Sequence, residues 1–233
     1  MACTFPGPIL LLDVRDKGTA SVLDVKNLDI LVIEEWDNFE DAYWWLKANP
    51  TKYKTLVIDT VTNLQQLSIE KILSKKKKVD LTKAGDWGTM SRRQWGDVAS
   101  MMKTWITNVR DLEMNVIFVA QDRIFNFSDD DDENDEGDDH LQPEVGPRLS
   151  PAVAAHLNAS VSIIGNTFIR RRHIPDRKVG KKIVKGKEIT EYCMRLGPNP
   201  IYITKLRKPK SVTPPSILVD PSYKEIIALV KGE

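Results

Sequence analysis

The stretch Tyr53-Lys-Thr-Leu-Val-Ile-Asp-Thr-Val-Thr-Asn63 constrains this chain more than any other. A short β-branched apolar run ends in one carboxylate, Asp59, and passes at once into hydroxyl residues and a helical pattern. Such a run suits a strand buried on both faces, as in a parallel sheet. Open parallel sheets place ligand chemistry at the carboxyl ends of their strands. Two readings of Asp59 follow. It supports a hydrated magnesium ion on a nucleotide phosphate, or it caps the helix that follows.

Other segments repeat the theme. Residues 9–12 are aliphatic and run into Asp13, with Asp16 close behind; residues 115–121 form another apolar run, which ends in Gln121. Residues 29–33 read as a further short strand. Helices are expected at 37–48, stopped by Asn49-Pro50, at 61–74, at 91–113 and, behind a Ser150-Pro151 start, at 152–157. In the helix at 91–113, Trp95, Val98, Met102, Trp105, Ile106, Val109 and Leu112 share one face and read as core. Residues 159–164 read as a strand. Residues 165–208 are β-rich, with strands expected at 167–171, 188–196 and 201–205. Pro214-Pro215 marks a boundary, and Asp220-Pro221 caps a last short helix. The order predicts an α/β fold: a mostly parallel sheet flanked by helices, with a C-terminal β-hairpin extension. The core is expected over residues 1–210 and a tail over 211–233.

Composition adds a charge asymmetry. The formal net charge is only +1, yet nine acidic residues fall within residues 129–139. Setting these aside leaves 34 basic and 24 acidic residues, a body of net +10 suited to a polyanionic partner. The tract itself reads as a solvated insert. A calcium loop at Asp132-x-Asn134-x-Glu136-Gly137 fails because Pro143 stands at its twelfth position. Two cysteines, Cys3 and Cys193, do not make a disulfide framework or a zinc site, which suits a reducing cytoplasm. No aliphatic run is long enough to span a bilayer, so no membrane partner is expected. No histidine pairs with a nucleophile motif.

Taken in order, these strand ends resemble a RecA-type nucleotide-binding core, in particular the small phage RecA-like ATPases that bind and anneal single-stranded DNA. The resemblance runs from Phe5 to about Lys210. Thr55-Leu-Val-Ile-Asp59-Thr60 is similar to the family's Walker B strand. Val116-Ile-Phe-Val-Ala-Gln121 resembles the strand whose glutamine senses the γ-phosphate. Residues 122–147 stand where the family has a mobile DNA-binding loop, and Ile203-Thr-Lys205-Leu-Arg207-Lys208 resembles a basic strand end that reaches nucleotide across a subunit interface. The resemblance implies ATP and Mg2+ as cofactors, with Asp59 and Thr60 on the metal and nucleotide and Asp16 or Asp13 orienting water. It implies that Gln121 couples phosphate to DNA, and that Lys205 and Arg207 act on a neighbour's nucleotide in a homo-oligomeric ring or filament. The implied partners are single-stranded DNA and a single-strand-binding protein.

Three departures qualify it. No Gly-x-x-x-x-Gly-Lys-Ser/Thr occurs in the sequence; the family's phosphate loop precedes a segment like residues 5–13, so a truncated reading frame is expected. The family's internal strand would be missing with it, exposing two strand edges, and ATP hydrolysis by the chain alone is expected to be weak or absent. Arg15 occupies the place of the glutamate in the family's Asp-x-Glu pattern. The segment matching the DNA loop is acidic, which repels phosphates. DNA contacts are expected instead from Lys75, Lys76, Lys77, Lys78, Trp87, Arg92, Arg93, Arg170, Arg171 and Arg172, with further cations in the basic loop after them. A non-enzymatic DNA-binding or assembly protein on the same fold, or another NTP-driven DNA machine such as a helicase loader, are the alternative readings.

Overall fold

The computed structural model describes residues 1–74, 90–125, 144–175, 177–179, 182–184 and 186–232; of residues 177–179 and 182–184 it describes the backbone alone. The Lys75 to Lys78 run, Trp87 and the acidic tract therefore lie outside the described residues. The chain divides into two compact units, one of residues 2–125 with 145–161 and the other running from Ser162 onward.

The first unit is built on four strands: β1 (Ile9–Val14), β2 (Leu28–Ile33), β3 (Thr55–Asp59) and β4 (Asn115–Val119). All pairs are parallel and the spatial order is β2-β1-β3-β4. The chain steps from β1 to β2 on one side and then to β3 on the other. The gap between the tips of β1 and β3 is thus a topological switch point, the place where open α/β sheets bind ligands. The helices α1 (Trp36–Ala48), α2 (Val61–Ser74), α3 (Arg92–Arg110) and α4 (Pro151–Ser160) complete the unit. β5 (Asp122–Phe125) and β6 (Glu144–Pro147) pair as a small sheet, so strands open and close the segment expected to be one long loop.

Alternation along the strands divides the core. Leu10, Leu12, Val14, Leu56 and Ile58 pack with Phe39, Leu46, Leu64, Leu67, Met102 and Val153 of the four helices. Ile9, Leu11 and Val57 face the other way, against Ala2, Val22 and Ile117. Each helix has a local reason to start where it does. Glu35 and Asn38 form a capping box on α1, and Ser91 and Gln94 form another on α3. Pro151 takes the first turn of α4, where its missing N–H costs nothing. Among the described residues, no helix is long and apolar enough to cross a membrane.

The second unit contains β7 (Ile163–Ile164), β8 (Asn166–Ile174), β9 (Arg177–Val179), β10 (Lys182–Val184), β11 (Lys187–Arg195), β12 (Lys205–Leu206), β13 (Ile217–Val219) and α5 (Tyr223–Lys231). β8 and β11 form an antiparallel ribbon of nine register pairs, from Asn166↔Arg195 to Ile174↔Lys187, and β13 adds to its base. β9 and β10 pair antiparallel beyond it. α5 is capped by Ser222 with Glu225 and ends at Gly232, whose φ of 80° suits glycine. The α/β fold with a parallel sheet, flanking helices and C-terminal hairpin sheets is the architecture expected, and it is consistent with a RecA-like fold.

Several local expectations need correction. Residues 159 and 160 belong to α4, not to a strand: the alanine-rich helix runs on, and the Ser160 hydroxyl donates to the His156 carbonyl oxygen at 2.7 Å. The strand expected at 201–205 shrinks to Lys205–Leu206, because Asn199 Oδ1 accepts from the N–H groups of both Ile201 and Tyr202, holding a turn there. Trp95 is 43% exposed and is not core, since the buried stripe of α3 is Val98, Met102, Ile106 and Val109. Trp105 does pack inward, edge-on to Trp36, Phe39 and Tyr43. The last helix is capped by Ser222, not by Asp220.

Candidate nucleotide site at the sheet edge

The parallel register places Asp13 and Asp59 as Cα partners on adjacent strands, one strand spacing apart, ~4.8 Å. Asp59 in turn faces Val119 on β4, two residues before Gln121. Two carboxylates from residues 46 positions apart thus meet at one sheet edge because both strands end in register.

Asp13 is 4% exposed. Its Oδ1 accepts from the backbone N–H of Asp16 at 2.9 Å and of Lys17 at 3.1 Å, so the chain leaving β1 winds around this carboxylate. The turn is tight enough to place Arg15 and Lys17 at φ of 56° and 55°, the left-handed region. Asp16 is exposed at its outer side. Asp59 is half-buried, and its carboxyl is held above the ordinary carboxylate range, first by desolvation, then by the negative charges of Asp16 and Asp13. A nearby cation would offset the charge that burial makes costly on Asp59.

Arg15, at the glutamate position of the resembled pattern, is turned away from this edge. Its Nε donates to the Glu34 carbonyl oxygen at 2.7 Å and its Nη1 to Glu70 at 2.8 Å, tying the β1 exit to β2 and α2. Arg15 therefore serves as a clamp.

The third strand tip is locked similarly. Thr60 is 5% exposed, and its hydroxyl accepts from the Asn63 N–H at 3.1 Å, capping α2. Asn63 Nδ2 donates to the Val14 carbonyl oxygen at 2.9 Å, joining the helix start to the end of β1. The Asp59–Thr60 peptide bond is cis. Both readings of the sequence at this point thus have a residue: the hydroxyl of Thr60 caps, and the carboxyl of Asp59 remains at the edge. The backbone N–H of Gln121 donates to Thr62 Oγ1 at 3.1 Å.

One residue was missed. Arg148 donates from its backbone N–H to the Gln121 carbonyl oxygen at 2.7 Å and from Nη1 to Gln121 Oε1 at 3.3 Å. It is exposed and sits just after β6. The closing of residues 122–147 by β5 and β6 brings these two residues together, and no spacing rule in the sequence signals it.

Among the described residues, no group of three or more His, Cys, Asp or Glu side chains converges to hold a metal. The donor set is instead the two hard carboxylates of Asp13 and Asp59 on a sheet edge. That set fits a magnesium ion, which keeps much of its water and takes the rest of its ligands from phosphates. Asp59 and Asp13 would hold it, and it would neutralise phosphate charge.

A protein-family profile described as an AAA domain matches residues 1–207. The chain belongs to this family. No curated protein and no solved structure gives a match. Membership makes the AAA domain a nucleotide-binding, ATPase-type protein with a P-loop fold, and ATP with magnesium its general cofactor set. Its sheet edge brings Asp13 and Asp59 together, while the sequence contains no Gly-x-x-x-x-Gly-Lys-Ser/Thr.

The other residues expected to act in this AAA domain are distributed as follows. Lys205 and Arg207 lie in the second unit at β12; the ammonium of Lys205 is pushed below its usual range, first by desolvation and then by the neighbouring Arg207. Arg92 and Arg93 are exposed at the first two positions of α3, the positive end of its dipole, where cations are disfavoured and anions are attracted. Arg170, Arg171 and Arg172 lie on β8 but do not act alike. Arg170 Nε and Nη2 donate to Glu191 Oε2 at 2.8 and 2.6 Å, and Arg172 approaches the other oxygen at 3.6 Å. Glu191 is 7% exposed, so both arginines on that face are engaged by one buried carboxylate.

Proposed function

We propose that this AAA domain is a RecA-type, phage-like ATP-binding core that acts on single-stranded DNA in recombination or annealing, and that by itself it is a weak or inactive ATPase. The observation that carries the nucleotide part is the register partnership of Asp13 with Asp59, with Asp16 beside them and Gln121 past the next strand. Asp59 organises the metal, Asp16 or Asp13 orients water, and Gln121, hydrogen-bonded to Arg148, links the edge to residues 122–147. The DNA part is supported by the net +10 body outside the acidic tract and by the paired arginines at the start of α3. Lys205 and Arg207 serve a neighbouring copy's nucleotide in a ring or filament, and a single-strand-binding protein is an expected companion on the DNA.

Purified chain should bind fluorescent oligothymidine in a salt-sensitive way and show no efficient magnesium-dependent ATP turnover. Turnover that Asp59→Ala abolishes would refute the weak-ATPase part. A chain that ignores single-stranded DNA at low salt would refute the DNA part.

A further inference from the structure

The β8–β11 ribbon sorts its residues by face in a way the sequence does not display. Opposed residues of an antiparallel pair share a face, and faces alternate along each strand. One face of the outer half carries Arg170 and Arg172 around Glu191. The other carries the pairs Ile169↔Tyr192, Arg171↔Thr190 and His173↔Glu188. Nearer the base both faces are covered, since Cys193 and Met194 are each 2% exposed. One step out, cover ends abruptly: Ile169 is 64% exposed and Tyr192 61%. An aromatic ring and an aliphatic side chain thus stand side by side in water, with a guanidinium on the next pair.

The segment around this patch is basic overall, although this face also carries Glu188 opposite His173. Residues 166–195 contain ten Lys and Arg against three Asp and Glu, a net of +7. A bare ring with a guanidinium on the next pair, in a segment of net positive charge, matches a chain of phosphates carrying unpaired bases: a phosphate meets Arg171, and a base stacks on the ring. The base faces of a duplex are already stacked on each other, so a ring offers them little.

The geometry points to the Ile169–Arg171–Tyr192 face of this ribbon as a platform for single-stranded nucleic acid, with Tyr192 stacking on a base and Arg171 on an adjacent phosphate. Arg170 and Arg172 lie outside it, on the opposite face, held by Glu191. This assignment rests on the single-stranded DNA reading above and specifies where on the second unit the strand lies.

Binding of fluorescein-labelled oligothymidine to the full chain, followed by anisotropy across a salt series, tests it. Tyr192→Ala should weaken binding roughly five- to hundredfold, the range for loss of one stacked base, and Tyr192→Phe should restore most of it. Arg171→Ala should weaken binding and flatten the salt slope by ~0.7, the contribution of one phosphate contact on a single strand. Arg172→Ala removes the same charge from the other face and should change affinity less than twofold. A duplex of matched length should not respond to Tyr192→Ala. Circular dichroism melts confirm that each variant is folded, and Thr190→Asp, which sets a negative charge opposite Arg171, provides a second way to disable the face. Equal effects of Arg171→Ala and Arg172→Ala, or unchanged binding by Tyr192→Ala, would overturn the platform while leaving DNA binding intact. Failure of the unaltered chain to bind would overturn the DNA reading itself.

Discussion

Thr60 gives the sharpest test of how the sheet edge is built. It follows Asp59 directly, and the resemblance assigns it to nucleotide. Its hydroxyl, however, accepts from the Asn63 N–H, and the residue is 5% exposed. Thr60→Ser keeps the cap and deletes one buried methyl, at a cost of about 1 kcal/mol. Thr60→Val keeps the methyl and deletes the cap, leaving an orphaned helix N–H, at about 1–2 kcal/mol. Thr60→Ala loses both, about 2–3 kcal/mol in all if the two terms add. For a domain of this size that lowers the melting temperature by about 4–12 °C. Urea titrations monitored by circular dichroism should rank the variants Ser, Val, Ala in order of increasing loss. If Thr60→Ser costs as much as Thr60→Ala, the hydroxyl does not cap, and the account of how α2 is anchored beside Asp59 fails.

Asp59→Asn should stabilise the chain at neutral pH. The carboxyl of Asp59 is raised in the folded state, so the folded form binds the proton more tightly and stability falls as pH rises through and above the ordinary carboxylate value of 3.8. The advantage of the asparagine should vanish at pH values below that point; a benefit independent of pH in melting experiments would contradict the desolvation and charge origin of the shift. Arg15→Glu installs the resembled Asp-x-Glu pattern, yet it sets a carboxylate against Glu34 and Glu70 in place of a clamp. It should cost on the order of 1 kcal/mol and bring no gain in ATP turnover; a gain would show that position 15 reaches the site after all.

The elements that build the edge were legible because their signals are local. The aliphatic runs of β1 and β3 each end in an aspartate, and a parallel sheet with both strands in register brings those ends together with no further information. α2 was equally legible, starting at Val61 and stopping at Ser74. What the sequence hides depends on pairing across long separations. Arg148 reaches Gln121 only because β5 and β6 pair. The three arginines of β8 look equivalent until the antiparallel register sets Glu191 against Arg170 and leaves Arg171 on the far face. Local competition explains the lost strand at 201–205, where the side chain of Asn199 takes the backbone donors first. Trp95 lies near the start of α3 on the pattern that predicts burial, but the packed stripe begins one turn later, at Val98.

The turn wound around Asp13 bears on how a metal would arrive. A carboxylate oxygen has two lone-pair sites, and both on Oδ1 are taken by the N–H groups of Asp16 and Lys17. Asp13 can therefore offer a cation its second oxygen only, and the edge as a whole supplies too few ligands for an octahedral ion to exchange its water for protein. On the proposed nucleotide reading, free magnesium would gain little here, whereas magnesium carried on a triphosphate would meet Asp59, whose charge is costly to leave uncompensated. Metal and nucleotide would then bind as linked ligands, each tightening the other by the same factor. On that reading the apparent affinity for nucleotide would become a function of magnesium concentration.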